Sequence, residues 1–149
     1  MKKISLKPVL AMVSLLAVLG QANVAVAHDQ SGSLGNANSA IDQYQVHCFD
    51  DGSGANDHLE VAVKDLAPKA TPKVSLQVIR DDTATNTTDA VDGDASYSPE
   101  VSVKGSADQY YLMTVDKTAA GAENYLIEYH CITGDNQHTG TDIFSLTNQ

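Results

Sequence analysis

The sequence predicts an all-β fold: a single antiparallel β-sandwich, jelly-roll or immunoglobulin-like, with about seven to eight short strands and one disulfide. Apolar and polar residues alternate with a period of two through most of residues 41–149, which is typical of strands that bury one face. Segments rich in Gly, Pro, Asp and Asn separate these stretches, as turns between strands do. No stretch shows a convincing amphipathic-helix periodicity.

Six segments alternate clearly enough to predict one strand each. In the first, Tyr44, Val46 and Cys48 share the apolar face. An apolar cluster at residues 143–146 would add an edge strand, and the polar stretch 81–98 would hold one irregular strand. The six predicted strands cover residues 43–48, 59–64, 74–79, 101–103, 109–115 and 125–132.

The remaining segments define the domain organisation. Residues 28–40 are small and polar, and they predict a flexible N-terminal arm ahead of a sandwich domain at residues 41–149. The inward-facing tyrosines of the strands, Tyr44, Tyr125 and Tyr129, are expected in the core with their hydroxyls at its rim.

Residues 1–27 have the layout of a secretory signal peptide: a basic start, an apolar run over residues 9–19 and small residues at the cleavage site. The apolar run is shorter than the roughly 20 residues that a membrane-spanning helix needs. Cleavage after Ala27 would make His28 the new N-terminus, and cleavage after Ala25 is the alternative. The sequence therefore predicts a bacterial protein that is periplasmic or secreted.

The charge balance restricts the class of partner. The chain has 9 Lys and Arg against 19 Asp and Glu, and removal of the three signal-peptide lysines would leave a net charge of −13. Such a surface repels phosphate backbones and anionic lipid, so we expect no nucleic-acid partner and no membrane insertion after cleavage. An unknown protein or polymer partner is the remaining expectation.

The two cysteines, Cys48 and Cys131, predict a disulfide, because an even count in an exported chain favours a bridge. Both fall on the apolar face of a predicted strand, and a sandwich brings such strands together either across the core or side by side. A metal held by two thiolates is disfavoured, since no C-x-x-C pair is present.

Four segments carry a resemblance to a known family: 74–78 (VSLQV), 98–103 (SPEVSV), 110–115 (YYLMTV) and 125–129 (YLIEY). Over residues 43–132 the chain resembles the bacterial pre-peptidase C-terminal domain. The resemblance implies a non-catalytic sandwich of secreted proteins that in some members binds calcium or matrix polymer. This chain departs from the family in its cysteine pair and in having no attached peptidase.

Histidines suggest a transition-metal site. If His28 becomes the N-terminus, its imidazole and α-amine form a chelating pair suited to copper. His47 and His130 each precede a cysteine, and if the cysteines bond as cross-strand neighbours, both histidines lie on the opposite face of one sheet, about 7 to 8 Å apart at the backbone. His58 and His138 could complete or compete with this set. The alternative is that these histidines are solvated positions beside a disulfide.

Acidic loops suggest calcium as a second possible cofactor. Two glycine-bearing loops concentrate carboxylates, which are the oxygen ligands that calcium prefers. Neither loop matches the EF-hand pattern, and Asp and Gly are also common turn residues. The candidate ligands are Asp50, Asp51, Asp57, Asp89, Asp92 and Asp94.

No sequence motif indicates catalysis. The chain has no G-x-S-x-G elbow, no H-E-x-x-H zinc motif and no phosphate-binding glycine loop, so we do not expect an enzyme. The sequence therefore predicts an exported, non-catalytic binding or accessory protein. A periplasmic copper- or zinc-binding protein and a pilin-like structural subunit that pairs through edge strands are the alternatives.

Overall fold

The computed structural model describes residues 28–68 and 71–149, so the predicted signal peptide at residues 1–27 lies outside the described residues. Within the described part there are nine strands and no helix, and hence no helix that could cross a bilayer. The strands are β1 (His28–Leu34), β2 (Asp42–Phe49), β3 (Asn56–Leu66), β4 (Val74–Arg80), β5 (Thr83–Thr88), β6 (Val101–Lys104), β7 (Gln109–Lys117), β8 (Glu123–Thr133) and β9 (Gly140–Thr147).

The strands form two antiparallel sheets that enclose one core. The first sheet has the order β1-β8-β3-β6 and the second the order β5-β4-β7-β2-β9. Along β2 and the first part of β8, every second residue is buried, which is the period-two pattern of the sequence. The predicted all-β sandwich is confirmed, and all six predicted strands are present.

A single disulfide joins the two sheets. Cys48 lies in β2 of the five-stranded sheet and Cys131 in β8 of the four-stranded sheet, with their Cα atoms 5.5 Å apart. Both cysteines point into the core and are fully buried. The predicted pairing is confirmed, and of the two arrangements left open by the sequence the bridge across the core is the one observed.

The N-terminal segment corrects one prediction. Residues 28–34 do not form a flexible arm but the edge strand β1, which pairs antiparallel with β8. Its inward positions carry His28, Gln30, Gly32 and Leu34 rather than a row of apolar residues, so the sequence shows no alternation. Backbone hydrogen bonds to β8 hold this strand in place. Because these bonds involve only main-chain groups, the polarity of the side chains does not reveal them.

The two uncertain segments both contain edge strands. The polar stretch 81–98 contributes β5, which pairs with β4 through residues 83–88, and the apolar cluster at 143–146 lies in β9 beside β2. An edge strand has one unpaired side and limited burial, which explains why β5 can consist entirely of Thr, Ala and Asn.

Three tyrosines expected in the core are buried there, and two of them form a polar network. The Tyr44 and Tyr125 hydroxyls are 2.7 Å apart, and Tyr125 donates a 2.5 Å hydrogen bond to Asp42. Asp42 in turn accepts a hydrogen bond from the backbone N–H of Gln149. The network links the two sheets and the C-terminus through side chains that are all buried.

Candidate metal sites

Three histidines meet at the edge of the four-stranded sheet. His28 begins β1 and pairs with Tyr129 of β8, next to His130. After β8 the chain turns back, and His138 forms a bridge with Ile132. Because β3 occupies the other edge of β8, His28 and His138 lie on the same edge, on either side of His130 along the strand.

The rings of these histidines are close, and two ring nitrogens are unsatisfied. The ring centroids of His28 and His130 are 6.4 Å apart, and those of His130 and His138 are 4.5 Å apart. The Nδ1 atoms of His28 and His130 are buried and have no hydrogen-bond partner among the described residues. Buried imidazole nitrogens without partners are costly unless something binds them.

Glu128 contacts the ring of His130. Its Oε1 lies 3.3 Å from Nε2 of His130. When Nε2 carries the proton that Glu128 accepts, Nδ1 presents its lone pair. A carboxylate that holds the distal N–H of a ligating histidine is a common feature of metal sites, because it fixes the tautomer and the ring orientation.

The electrostatic environment of His28 favours the neutral imidazole. Burial lowers the pKa of His28, and the nearby His130 and His138 lower it further, whereas Asp142 and Asp29 act in the opposite direction. The neutral imidazole is the form that binds metal ions.

His47 lies far from this cluster, contrary to the prediction. Because the disulfide crosses the core, the residues that precede the two cysteines face outward from opposite sheets. His47 stacks on Tyr110 with a centroid distance of 4.2 Å, and its Nε2 is 2.8 Å from Asp108. The prediction that His47 and His130 share one face of a sheet required the two cysteines to lie in neighbouring strands of that sheet. The cysteines lie in different sheets, so this prediction is wrong.

His58 is occupied by its own neighbours. Its Nδ1 lies 2.7 Å from Asp57 and its Nε2 lies 2.9 Å from Glu60, so both ring nitrogens have carboxylate partners. It sits on β3, on the opposite side of β8 from His28. Of the two additional histidines named from the sequence, His138 joins the cluster and His58 does not.

The predicted calcium loops use their carboxylates mainly to hold the backbone. Asp50 accepts hydrogen bonds from two backbone N–H groups of its own loop. Asp51 and Asp94 each accept one hydrogen bond, from the backbone N–H of the residue two positions later in the chain. Asp57 pairs with His58 and Lys104. The six predicted aspartates do not provide three ligand atoms within 4.8 Å of one another.

A different group of acids does converge. One carboxylate oxygen from each of Asp65, Asp92 and Glu123 lies within 4.8 Å of the others. Only Asp92 was named from the sequence. Asp65 and Glu123 occupy inward-facing positions of β3 and β8, where the alternation otherwise places apolar residues. An acidic residue at such a position was the sequence signal that could have identified them.

The fold defines the class of protein: a β-sandwich whose two sheets are linked by one disulfide. No protein-family model matches the chain, and no curated protein matches its sequence. Among solved structures, a mitogen derived from Yersinia pseudotuberculosis is similar with a TM-score of 0.44 and 9% sequence identity. The similarity covers 83% of this chain and 97% of the mitogen chain.

Proposed function

We propose that this chain is an exported, non-catalytic β-sandwich protein that binds a copper or zinc ion through His28, His130 and His138. One observation carries the proposal: three imidazoles from separate segments converge, and two of them keep a buried Nδ1 without a hydrogen-bond partner among the described residues. Imidazole suits both copper and zinc, and Glu128 supplies the supporting carboxylate.

The strand register adds a possible fourth ligand. In the antiparallel pairing of β1 with β8, His28 lies opposite Tyr129 and Asp29 opposite Glu128, so the backbone nitrogen of His28 is on the side of Tyr129 that faces His130. If the signal peptide is cleaved after Ala27, the free α-amine of His28 would emerge beside the other two histidines. An α-amine and an imidazole on one residue form a chelate that copper favours over zinc.

Binding would require side-chain rotation. The ring nitrogens of all three histidines do not lie within 4.8 Å of one another, whereas two nitrogens that share an ion at about 2.0–2.1 Å must be closer than that. His28 and His138 are only partly buried, so rotation about their χ angles would not have to displace the core. The arrangement therefore supports a site that closes around the ion.

The test is a calorimetric titration of the mature protein, beginning at His28, with Cu(II) and Zn(II). We expect one ion per chain, and an affinity that falls by about tenfold or more in His130→Ala and His138→Ala. His47→Ala is the matched control, because it removes a strand histidine from the opposite sheet. A wild-type protein that binds neither ion, or an equal loss in His47→Ala, would contradict the proposal.

The α-amine can be tested separately. One extra residue before His28 blocks the amine but leaves the three rings unchanged. If the amine is a ligand, we expect the extended protein to lose copper affinity more than zinc affinity. Electron paramagnetic resonance of the copper-loaded form would then show fewer coordinating nitrogens.

A further inference from the structure

Three acids from distant parts of the sequence meet at one place in the sandwich. Asp65 lies near the end of β3, Glu123 is the first residue of β8, and Asp92 belongs to the loop between β5 and β6. One carboxylate oxygen of each lies within 4.8 Å of the other two. Asp65 is 0% and Glu123 is 1% exposed, so this is not a solvated acidic patch.

Two of the three acids, Asp65 and Glu123, have carboxylate oxygens without the hydrogen bonds that buried carboxylates require. Neither Oε1 nor Oε2 of Glu123 has a hydrogen-bond partner among residues 28–68 and 71–149, and neither has Oδ1 of Asp65. A buried carboxylate without partners is strongly unfavourable, whether charged or neutral. These oxygens therefore indicate a bound cation or a shared proton.

The nearby lysine does not supply the missing contacts. Lys117 is close enough to lower the pKa of Glu123, but within the described part of the chain its Nζ donates its hydrogen bonds to the backbone carbonyl oxygens of Gly35 and Gly121. The buried oxygens of Glu123 and Oδ1 of Asp65 therefore remain available to a divalent ion.

Backbone contacts hold the acids in position. Asp65 accepts a hydrogen bond from Val74 N–H through Oδ2, which leaves its buried Oδ1 without a hydrogen-bond partner among the described residues. Asp89 accepts the N–H of Asp65, and the carbonyl of Asp65 accepts the N–H of Gly93 beside Asp92. The loop that carries Asp92 is therefore attached to β3 on both sides of the acid, as a preformed ligand set requires.

We propose that Asp65, Asp92 and Glu123 bind a calcium ion that ties the loop between β5 and β6 to β3 and β8. Three carboxylates provide hard oxygen ligands, and calcium accepts six to eight such oxygens in flexible geometry, with water or carbonyl oxygens completing the shell. Magnesium demands stricter octahedral geometry and keeps more of its water, so it fits a buried, irregular set less well. This inference does not depend on the histidine site.

The competing arrangement is a proton shared between Asp65 and Glu123. Burial raises the pKa of Asp65 to about 6, and burial together with Asp65 and Asp92 raises that of Glu123. Without a cation, these groups would hold a proton more strongly than ordinary acids do. The two arrangements differ in their response to calcium, which makes them separable.

The experiment measures thermal unfolding and calorimetric binding of the mature protein at neutral pH, in a chelator and then in millimolar calcium. We expect calcium to raise the melting temperature and to bind one ion per chain. In Glu123→Gln and Asp65→Asn the affinity should fall by about tenfold or more. Asp94→Asn is the matched control, since Asp94 lies in the same loop and accepts a hydrogen bond from the backbone N–H of Ser96, outside the three-acid cluster.

Three results would overturn the calcium site: no binding and no stabilisation of the wild-type protein, binding that survives Glu123→Gln, or an equal loss in Asp94→Asn. A shared proton instead predicts that Glu123→Gln stabilises the chelator-treated protein and that calcium has no effect. Because a buried substitution can prevent folding, Asp92→Asn provides a second variant in the loop. Displacement of terbium by calcium in the wild-type protein provides a measurement that needs no variant.

Discussion

The Tyr125 hydroxyl is hydrogen-bonded on both sides inside the core, to Asp42 and to Tyr44. Burial is the main cause that raises the pKa of Tyr125, and the two hydrogen-bonded neighbours raise it further. Burial also raises the pKa of the other core tyrosines, Tyr44, Tyr111 and Tyr129. At the residue scale, the core therefore contains several phenols that hold their protons in alkaline solution.

These shifts predict that the protein loses stability as the pH rises above about 10, the ordinary pKa of tyrosine. Above that pH the unfolded chain ionises its tyrosines while the folded chain keeps the protons, so the unfolded state is favoured progressively. The measurement is the melting temperature as a function of pH in the alkaline range. A melting temperature that does not change there would contradict the prediction.

Tyr125→Phe tests the contribution of this residue. The variant removes one phenol with a raised pKa, so we expect a shallower alkaline decline than in the wild-type protein. The variant also removes the hydroxyl that donates a hydrogen bond to Asp42. This loss should lower the free energy of unfolding at neutral pH by about 1–3 kcal/mol. Tyr110→Phe, at an exposed position, should alter neither quantity.

At the scale of elements, β1 depends on one glycine. A Cβ atom at Gly32 would lie 2.1 Å from the Tyr125 hydroxyl oxygen and 2.2 Å from the ring carbon that carries it. The ring cannot move freely, because its hydroxyl is fixed by Asp42 and Tyr44. Gly32 thus allows the edge strand to pack directly over a core tyrosine.

Gly32→Ala is therefore expected to destabilise the fold by about 1–3 kcal/mol, the usual cost of forcing extra atoms into a packed site. Urea unfolding measures the change. The matched control is Gly134→Ala, where an added Cβ meets nothing within 4 Å. Equal effects at both positions would show that the loss of glycine, and not the contact with Tyr125, determines the result.

At the scale of the whole molecule, the disulfide connects the two sheets across 83 residues of sequence. In the chain-entropy account, a closed loop of this length stabilises the folded state by about 4 to 5 kcal/mol. A bridge of this kind fits an oxidising compartment outside the cytoplasm. The binding of a protein or polymer partner by the sandwich stays a prediction.

Replacement of both cysteines by alanine should lower the free energy of unfolding by about 4 to 5 kcal/mol, with a further loss from core packing. Chemical denaturation of the wild-type protein in a reducing agent measures the loss of the cross-link alone. Chemical denaturation of the variant measures that loss together with the loss of core packing. The reduced wild-type protein should lie between the variant and the oxidised protein. A reduced protein as stable as the oxidised one would contradict the entropic role.

Much of the fold could be predicted because its causes are local. Alternation shows which face of β2 or β8 is buried, and it placed Cys48 and Cys131 on inward faces before their partners were known. The same reasoning failed for β1, because its inward residues are His28, Gln30 and Gly32. A polar edge strand is held by its hydrogen bonds to β8, and these depend on the neighbour rather than on the strand's own sequence.

The sequence by itself determined which residues face inward in the alternating strands such as β2 and β8, and that the two sulfurs would pair. Tertiary structure alone decided which polar groups meet. His138 rather than His47 joins His28 and His130, because the disulfide crosses the core and sends the two strand histidines to opposite faces. Asp65 and Glu123 meet Asp92 only because β3 and β8 pair and the loop after β5 folds back onto β3. Such contacts follow from chain topology, since side-chain periodicity describes one strand and not which strands become neighbours.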